Sequence, residues 1–161
     1  MKKILCATDG TAHSAHAVEL SAEMAKKLGA HLSICVVNVA NGGSRGPLIY
    51  SMEDDQVKKV LDAAAAVAKK HGVASVDELA LRSREAASAI VQYAEENGYD
   101  QIVVGTGDKR GVSRLVLGSV ASDVAGRAIA ACWSPADPAI GSLVHLPGLA
   151  QKASSQGDFF T

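Results

Sequence analysis

The residues best suited to chemistry lie in one loop, within the stretch from Ile102 to Val120. The apolar run 102–104 is β-branched, is ended by Gly105, and is typical of a buried parallel strand. The loop closes on Gly118-Ser119, where Ser119 is a good N-cap for a following helix. Glycines let a backbone approach a ligand closely, and a helix N-terminus offers free N–H groups that suit phosphate. The stretch therefore has the parts of an anion-binding cradle.

Charged side chains in the same loop leave two interpretations open. Lys109, Arg110 and Arg114 are either solvated loop charges or partners of a phosphate group. Asp108 opposes them, because unit charges ~4 Å apart interact by roughly 1 to 4 kcal/mol, depending on exposure. We expect this carboxylate to weaken phosphate binding unless Mg²⁺ or Lys109 offsets it.

A second candidate group, Asp9, ends the first predicted strand. The run Ile4–Thr8 reads as a central strand buried on both faces, and Asp9-Gly10 stops it. Alone, Asp9 reads as an ordinary turn residue. Beside the glycine loop it reads as an acceptor for a ligand N–H or hydroxyl, or as an outer ligand of a metal. Ligands of parallel sheets bind beyond the carboxyl ends of the strands, so Asp9 and the loop would face one crevice if their strands are neighbours.

Strands and helices alternate along the chain, which predicts how these groups are positioned. The fold class is α/β: an open, five-stranded, mainly parallel sheet, doubly wound in a Rossmann-like way, with helices on both faces. The first helix should run to about Leu28, with Ala17, Leu20, Met24 and Leu28 on its buried face. Further strands are predicted at about 32–39, 76–81 and 101–104, and further helices at about 53–71, 85–97 and 119–128. The glycine-rich segment 40–51 should be a loop.

The end of the chain departs from this alternation. The fifth strand falls on Ala130–Pro135, and Pro135 and Pro138 cannot donate ladder hydrogen bonds, so this strand should be short or damaged. Residues 1–134 form the predicted domain, and residues 135–161 a poorly ordered extension without apolar periodicity.

Composition excludes several classes of function. The formal net charge is −1, so we expect no nucleic-acid partner, and no apolar stretch approaches the ~20 residues of a membrane span. Cys6 and Cys35 fall in predicted buried strands and read as small core residues of a cytoplasmic protein. His13, His16 and Glu19 could share a helix face as metal ligands, but a solvated face is favoured. No nucleophile–base pair stands out, so we expect no committed enzyme.

Two stretches of the chain resemble the universal stress protein family. After its fourth strand that family carries Gly, two residues, Gly, nine residues, and Gly-Ser or Gly-Thr. Gly105 matches the first glycine and Gly118-Ser119 match the closing pair, whereas Asp108 stands at the second glycine with Gly107 one place before it. The beginning of the chain, ILCATDGTAHSAHAVELS, is similar to the family's first strand and helix.

The resemblance covers residues from about 1 to 128 and implies a nucleotide site. In ATP-binding members the loop wraps the ribose and phosphates, the matching aspartate contacts the nucleoside, and a matching valine packs on adenine. The nucleotide-binding residues implied here are Ala7, Thr8, Asp9, Val37, Val104, Gly105, Gly107, Lys109, Gly118, Ser119 and Val120.

The resemblance further implies an ATP-binding regulatory protein of the stress response, with ATP and Mg²⁺ (or Mn²⁺) as cofactors and a homodimer joined through the fifth strand. The alternative is a dimeric interaction module of the same fold that does not bind ATP. A weaker alternative is slow ATP hydrolysis or self-phosphorylation on a loop Ser or Thr.

The tail also admits a genetic hypothesis. Ala131-Cys132-Trp133-Ser134 must be written GCN-TGY-TGG followed by a serine codon. If the serine codon is TCN, the reading frame shifted by two bases encodes Leu, Met or Val, then Leu, then Val. This apolar sequence is typical of the family's fifth strand, which is missing here. A frameshift near residue 129 is therefore the hypothesis for this tail, and the gene sequence tests it.

Overall fold

A computed structural model describes residues 2–42, 47–105 and 119–127, together with the backbone of 132–133 and 142–145. The strands are β1 (Lys3–Ala7), β2 (His31–Asn41), β3 (Ile49–Tyr50), β4 (Val76–Ser83), β5 (Gln101–Val104), β6 (Cys132–Trp133) and β7 (Ser142–His145). The helices are α1 (Ala12–Leu28), α2 (Asp54–Lys70), α3 (Ala86–Glu96) and α4 (Ser119–Arg127). None of the described helices is both long enough and apolar enough to cross a membrane.

Four parallel strands form the centre of the sheet, in the order β4-β2-β1-β5. Within β1, Ala7 pairs with Cys35 of β2 on one side and with Val104 of β5 on the other. The strands β1, β2 and β5 are mainly apolar because both faces of the sheet are covered there, whereas the edge strand β4 carries charged residues. The carboxyl ends of β1, β2 and β5 therefore lie together at one edge of the sheet.

The helices cover the sheet in two layers, each with its own core. On one face, α1 and α2 pack against side chains such as Ile4, Ile34 and Val103. On the other face, α3 and α4 pack against a set that includes Leu5 and Ile102. Alternate residues of β1 and β5 thus point to opposite layers, as strand geometry requires. The predicted fold class, an open and mainly parallel α/β sheet with helices on both faces, is confirmed.

The rotational phase of α1 differs from the prediction. The residues that α1 buries are mostly small: Ser14, Ala17, Val18, Ser21, Ala22 and Ala25. Of the predicted buried face, Ala17 is buried and Met24 is partly buried and packs against the core. The prediction was wrong for Leu28, which is 51% exposed, and for Leu20, which is only half-buried. Small side chains let the helix axis approach the sheet closely, and the larger residues lie at its flank. Thr11 caps the helix at its N-terminus, and Gly29, with φ of +60°, ends it.

Two further differences concern the connections. β2 runs on to Asn41, and β3 lies within the segment 40–51 that the sequence predicts as a loop. Buried Asn38 anchors this connection, because its side-chain amide donates to the Met52 carbonyl over 2.7 Å and its oxygen accepts the Met52 N–H over 3.0 Å. β3 is therefore a short strand paired antiparallel with the end of β2.

The edge of the sheet beyond β5 is antiparallel. β7 pairs with β5, and the two-residue β6, which falls on the predicted fifth strand, pairs with β7 rather than with β5. The fifth strand is short, as predicted, but it does not occupy the place beside β5. β7 belongs to the stretch 135–161 for which the sequence predicts an extension, and the division at residue 134 stays a prediction.

The two described cysteines lie one on each side of the sheet. Cys6 belongs to the core under α1 and α2, and Cys35 to the core under α3. Both are free thiols, and burial raises the pKa of Cys6 to about 12, so this thiol stays protonated. The interpretation of both as small core residues agrees with this burial.

Candidate functional site

A cleft opens at the carboxyl ends of β1, β2 and β5. Its cavity has a volume of about 130 Å³. Its lining residues are Ala7, Thr8, Asp9, Thr11, His13, Ser14, Val37, Ala86, Ile90, Val104, Gly105 and Val120. Most of the lining is apolar, with polar groups confined to the β1–α1 connection and the first turn of α1. An apolar slot with a few polar groups at one side is the usual form of a small-molecule site.

The cleft brings together many of the residues that the sequence predicts as nucleotide-binding. Those that line it are Ala7, Thr8, Asp9, Val37, Val104, Gly105 and Val120. Ser119 begins α4 and is exposed, but it does not line the cleft. Gly107, Asp108, Lys109 and Gly118 lie outside the described residues, as do Arg110 and Arg114.

Five lining residues were absent from the predicted set. Thr11, His13 and Ser14 come from the first turn of α1, and their proximity to the strand ends follows from the short β1–α1 connection. Ala86 and Ile90 come from α3, whose apolar periodicity marks them as inward-facing without showing that they reach a cleft. The sequence does not show how closely α1 and α3 approach the strand ends, because that distance is set by packing.

Asp9 is held at the mouth of the cleft by the next turn of the chain. The Thr11 N–H donates to Asp9 Oδ1 over 3.0 Å, and the Thr11 hydroxyl donates to the same oxygen over 2.7 Å. Burial acts to raise the pKa of Asp9, but its hydrogen bonds, those of Thr11 foremost, outweigh burial and hold the pKa below its usual value. Asp9 is therefore ionised at neutral pH, and Oδ2 retains acceptor capacity for a ligand hydroxyl or N–H.

The hydroxyl groups of the cleft bond to one another and to the backbone. Ser14 donates its hydroxyl proton to the Thr11 carbonyl over 3.0 Å. Ser14 Oγ also lies 2.8 Å from Thr8 Oγ1, and either hydroxyl can be the donor of that bond. Thr8 Oγ1 in turn accepts the Gly10 N–H over 3.3 Å. The hydroxyl groups of Thr8, Ser14 and Thr11 therefore belong to one hydrogen-bonded network that ends at Asp9.

Gly105 brings β5 into direct contact with α1. A Cβ atom placed on Gly105 would lie 3.0 Å from Ser14 Cα and 3.1 Å from the His13 carbonyl oxygen. Both neighbouring atoms belong to the backbone, so no side-chain rotation could relieve the contact. The sequence predicts Gly105 for its approach to a ligand. In the described structure it also permits the close approach of a strand end and a helix.

The opposite wall of the cleft is formed by α3 and α4. Arg127 at the end of α4 donates to Ser88 Oγ and to Glu85 Oε1 at the start of α3. Ser88 also donates to Glu85 Oε2 over 2.9 Å. These bonds tie the two helices together, and Ala86 of α3 and Val120 of α4 line the cleft between them.

Metal ligands do not cluster in the part of the chain that the structure describes: no group of three His, Cys, Asp or Glu residues comes together there. His16 Nδ1 lies 3.2 Å from Glu19 Oε2 on an exposed face of α1, whereas His13 lines the cleft. The predicted solvated face agrees with the exposure of His13 and His16, although His13 also lines the cleft. A Mg²⁺ ion here would depend on phosphate oxygens and water, and Asp9 is the carboxylate that the described lining of the cleft offers.

Comparison with known proteins gives consistent matches. The model of the Universal stress protein family matches residues 1–132. The universal stress protein YxiE of Bacillus subtilis is 32% identical over 135 residues, covering 76% of this chain and 90% of the relative. MJ0531 of Methanocaldococcus jannaschii, also named a universal stress protein, is 32% identical over 129 residues, covering 76% of this chain and 75% of the relative. The universal stress protein of Archaeoglobus fulgidus, solved in complex with dAMP, matches with a TM-score of 0.54 and 26% identity, covering 79% of this chain and 90% of that one.

Proposed function

Because the chain belongs to the universal stress protein family, we propose that it is a stress-response regulator that binds an adenine nucleotide in the cleft at the carboxyl ends of β1, β2 and β5. The observation that carries the proposal is the convergence of Ala7, Asp9, Val37 and Gly105 on one cleft from three separate strands. The complex of the Archaeoglobus fulgidus protein with dAMP supports it.

The described lining suits the two halves of a nucleoside. Val37, Ile90 and Val104 offer apolar surface for a flat base, and burial of such surface is favourable by roughly 25 cal/mol per Å². Asp9, ionised and with acceptor capacity at Oδ2, would receive a ribose hydroxyl or a base N–H. In this proposal Ala7 and Thr8 lie beside the nucleoside.

The remaining predicted residues would bind the ribose and phosphates. They are Gly105, Gly107, Lys109, Gly118, Ser119 and Val120, and the ligand we propose is ATP with Mg²⁺ or Mn²⁺. The ion would be held mainly by the nucleotide's own phosphates and water. Protein purified without added nucleotide should carry an adenine nucleotide detectable by mass spectrometry, and Asp9→Ala should reduce its occupancy.

A calorimetric titration separates this function from its alternative. Wild type should bind ATP and adenosine, and Asp9→Ala should weaken both alike, because its contact would be to the nucleoside. Asp108→Gly should raise the affinity for ATP more than that for adenosine, because it removes a negative charge from the predicted phosphate loop. Mg²⁺ should narrow the difference in ATP affinity between this variant and wild type. The absence of binding by all three proteins would favour the interaction module without ATP.

Two accompanying proposals complete the assignment. We propose a cytoplasmic homodimer, in keeping with the family resemblance, and a regulatory rather than catalytic role. Slow hydrolysis of ATP or self-phosphorylation would appear as phosphate release or as label on a loop Ser or Thr, and neither should accompany the binding proposed here.

A further inference from the structure

The outer edge of β4 is the longest free strand edge of the described sheet. Among the described strands, β4 pairs with β2 alone, over eight residues from Val76 to Ser83. The backbone N–H and C=O groups on its outer side are therefore open to another strand. At the opposite edge of the sheet, the described β6 has only two residues. Of the two edges, β4 thus offers the longer surface for pairing with a second chain.

The two faces of β4 differ in chemistry. Leu79 and Leu81 are partly buried and pack against the core under α3 and α4. Glu78 and Arg82 belong to the opposite face, because successive side chains of a strand alternate between its faces. Both charged residues are exposed, and so is Ala80 between them. The helices that cover the sheet therefore leave the middle of β4 accessible.

The order of these residues along β4 is self-complementary. In an antiparallel pair of two β4 strands centred on Ala80, Glu78 of each copy lies opposite Arg82 of the other. On the other face, Leu79 of each copy lies opposite Leu81 of the other. Opposite residues of an antiparallel pair share a face and lie close enough for their side chains to interact. This arrangement gives two ion pairs on one face and two apolar pairs on the other.

Charge also selects this register over its neighbours. If the centre of the pair moves to Leu79 or Leu81, Ala80 stands opposite Glu78 or Arg82, and both Glu78–Arg82 pairs are lost. Charged side chains on an edge strand ordinarily discourage pairing with other chains. In β4 their signs are ordered so that one pairing of the strand with its own copy is favoured.

Arg82 is held in place at this edge by neighbours in its own chain. Its Nη2 donates to Asp54 Oδ1 over 2.7 Å, and its guanidinium carbon lies 5.1 Å from the centre of the Tyr50 ring. A guanidinium group has five N–H donors, so others remain for a carboxylate of a second copy. Glu78 makes no hydrogen bond or ion pair with another described residue. A positioned cation and an uncommitted carboxylate thus stand at complementary places on β4.

We propose that β4 is the dimerisation surface of this protein, and that its partner is a second copy of the chain paired antiparallel about Ala80. The two sheets would then form one continuous sheet across the dimer. This inference rests on the homodimer of the proposed function, because it names the interface, and it does not depend on nucleotide binding. It differs from the fifth-strand interface that the family resemblance implies, because β6, which falls on that strand, has two residues.

Sedimentation velocity on charge-reversed variants tests the inference. Wild type should dimerise, and Glu78→Lys and Arg82→Glu should each weaken dimerisation by roughly tenfold, because both attractive pairs become repulsive. An equimolar mixture of the two variants should recover the dimer, because opposite charges face each other in the heterodimer. Glu23→Lys is the matched control, since it makes the same charge change at an exposed residue of α1, which packs over β1, β2 and β5.

The outcomes separate the interface from the homodimer itself. Unchanged dimerisation of Glu78→Lys and Arg82→Glu would overturn the inference, while the homodimer would stand on another surface. A mixture that does not recover the dimer would overturn it as well, because the losses would then come from the fold. If wild type stays monomeric at micromolar concentration, both the homodimer and this inference fail, and the proposed nucleotide site is unaffected.

Discussion

At the scale of single residues, Asp9 joins the stability of the fold to the chemistry of the cleft. Its hydrogen bonds from Thr11 are made only in the folded chain, and they hold its pKa below the usual value. A carboxyl group whose pKa is lower when folded stabilises the fold above the unfolded pKa of about 4, and that stabilisation is lost as the pH falls through the folded pKa.

Acid unfolding tests this linkage. Between neutral pH and the region below about pH 4, the free energy of unfolding of wild type should fall more than that of Asp9→Asn, which cannot take up the proton. Chemical denaturation at a series of pH values measures the difference. Asp62→Asn, on the exposed face of α2, should follow wild type. Parallel curves for wild type and Asp9→Asn would contradict the linkage.

Gly105 gives a second prediction at this scale. Gly105→Ala places a methyl group against the backbone of His13 and Ser14, so we expect destabilisation by about 1 to 3 kcal/mol, as for an overpacked core. Gly126→Ala in α4 is the control, because the added Cβ would meet no described atom within 4 Å outside the backbone of its own helix and the adjoining residues. Alanine there should stabilise the helix by about 0.5 to 1 kcal/mol. Equal melting temperatures for the two variants would show that β5 and α1 can separate without cost.

The residues of the cleft were predictable to the extent that they follow strand ends. Asp9 and Gly105 follow from the ends of β1 and β5, because parallel strands end at one edge. Ala7, Thr8 and Val104 were predicted as site residues from the family resemblance. His13 could not be distinguished from His16 by sequence, since three-residue spacing allows one helix face for both. In the structure His13 lines the cleft, whereas His16 lies 3.2 Å from Glu19 on the exposed face of α1.

At the scale of elements, α1 shows why the rotational phase of a helix is hard to predict. The face that packs on the sheet is built from alanines and serines, which carry little hydrophobic signal. The sequence prediction followed the larger Leu20 and Leu28, and these residues lie at the flank of the helix. The existence of α1 and its end at Leu28 were nevertheless predicted correctly, because Gly29 marks that end.

Paired alanine substitutions measure this phase. Val18 is 1% exposed, and Val18→Ala should destabilise by about 1.5 to 2.5 kcal/mol through lost burial and the cavity left behind. Leu20→Ala removes more atoms, but Leu20 is only half-buried. This substitution should therefore lower the free energy of unfolding by about 1 kcal/mol or less. Urea denaturation gives both values. A larger loss of stability for Leu20→Ala than for Val18→Ala would instead support the buried face of α1 that the sequence predicts.

At the scale of the whole molecule, the two edges of the sheet differ. One is β4, which spans eight residues, and the other ends in the two-residue β6 beyond β7. The antiparallel β7 was not predictable from periodicity, because its partner β5 lies about forty positions earlier in the chain. The family match ends at residue 132, so the family pattern gives no prediction for β7.

Truncation tests what β7 does for the sheet. A chain ending at residue 134 lacks β7 and leaves the edge of β5 unpaired, although Ile102, Val103 and Val104 are at most 2% exposed in the full chain. We expect lower stability and self-association through that edge, visible in sedimentation velocity. A chain ending at residue 150 keeps β7 and should behave like the full chain. Unchanged stability at residue 134 would support the predicted domain 1–134 as self-sufficient.

The contact between Gly105 and α1 also bears on how the protein could transmit a signal. Side chains between two elements can absorb a small displacement by changing rotamer, but here backbone touches backbone. A ligand that shifts the end of β5 would therefore move the first turn of α1 as a rigid lever, and α1 carries that motion along its 17 residues to the far end of the sheet. Amide hydrogen exchange along α1, compared with and without nucleotide, would record this coupling well away from the cleft.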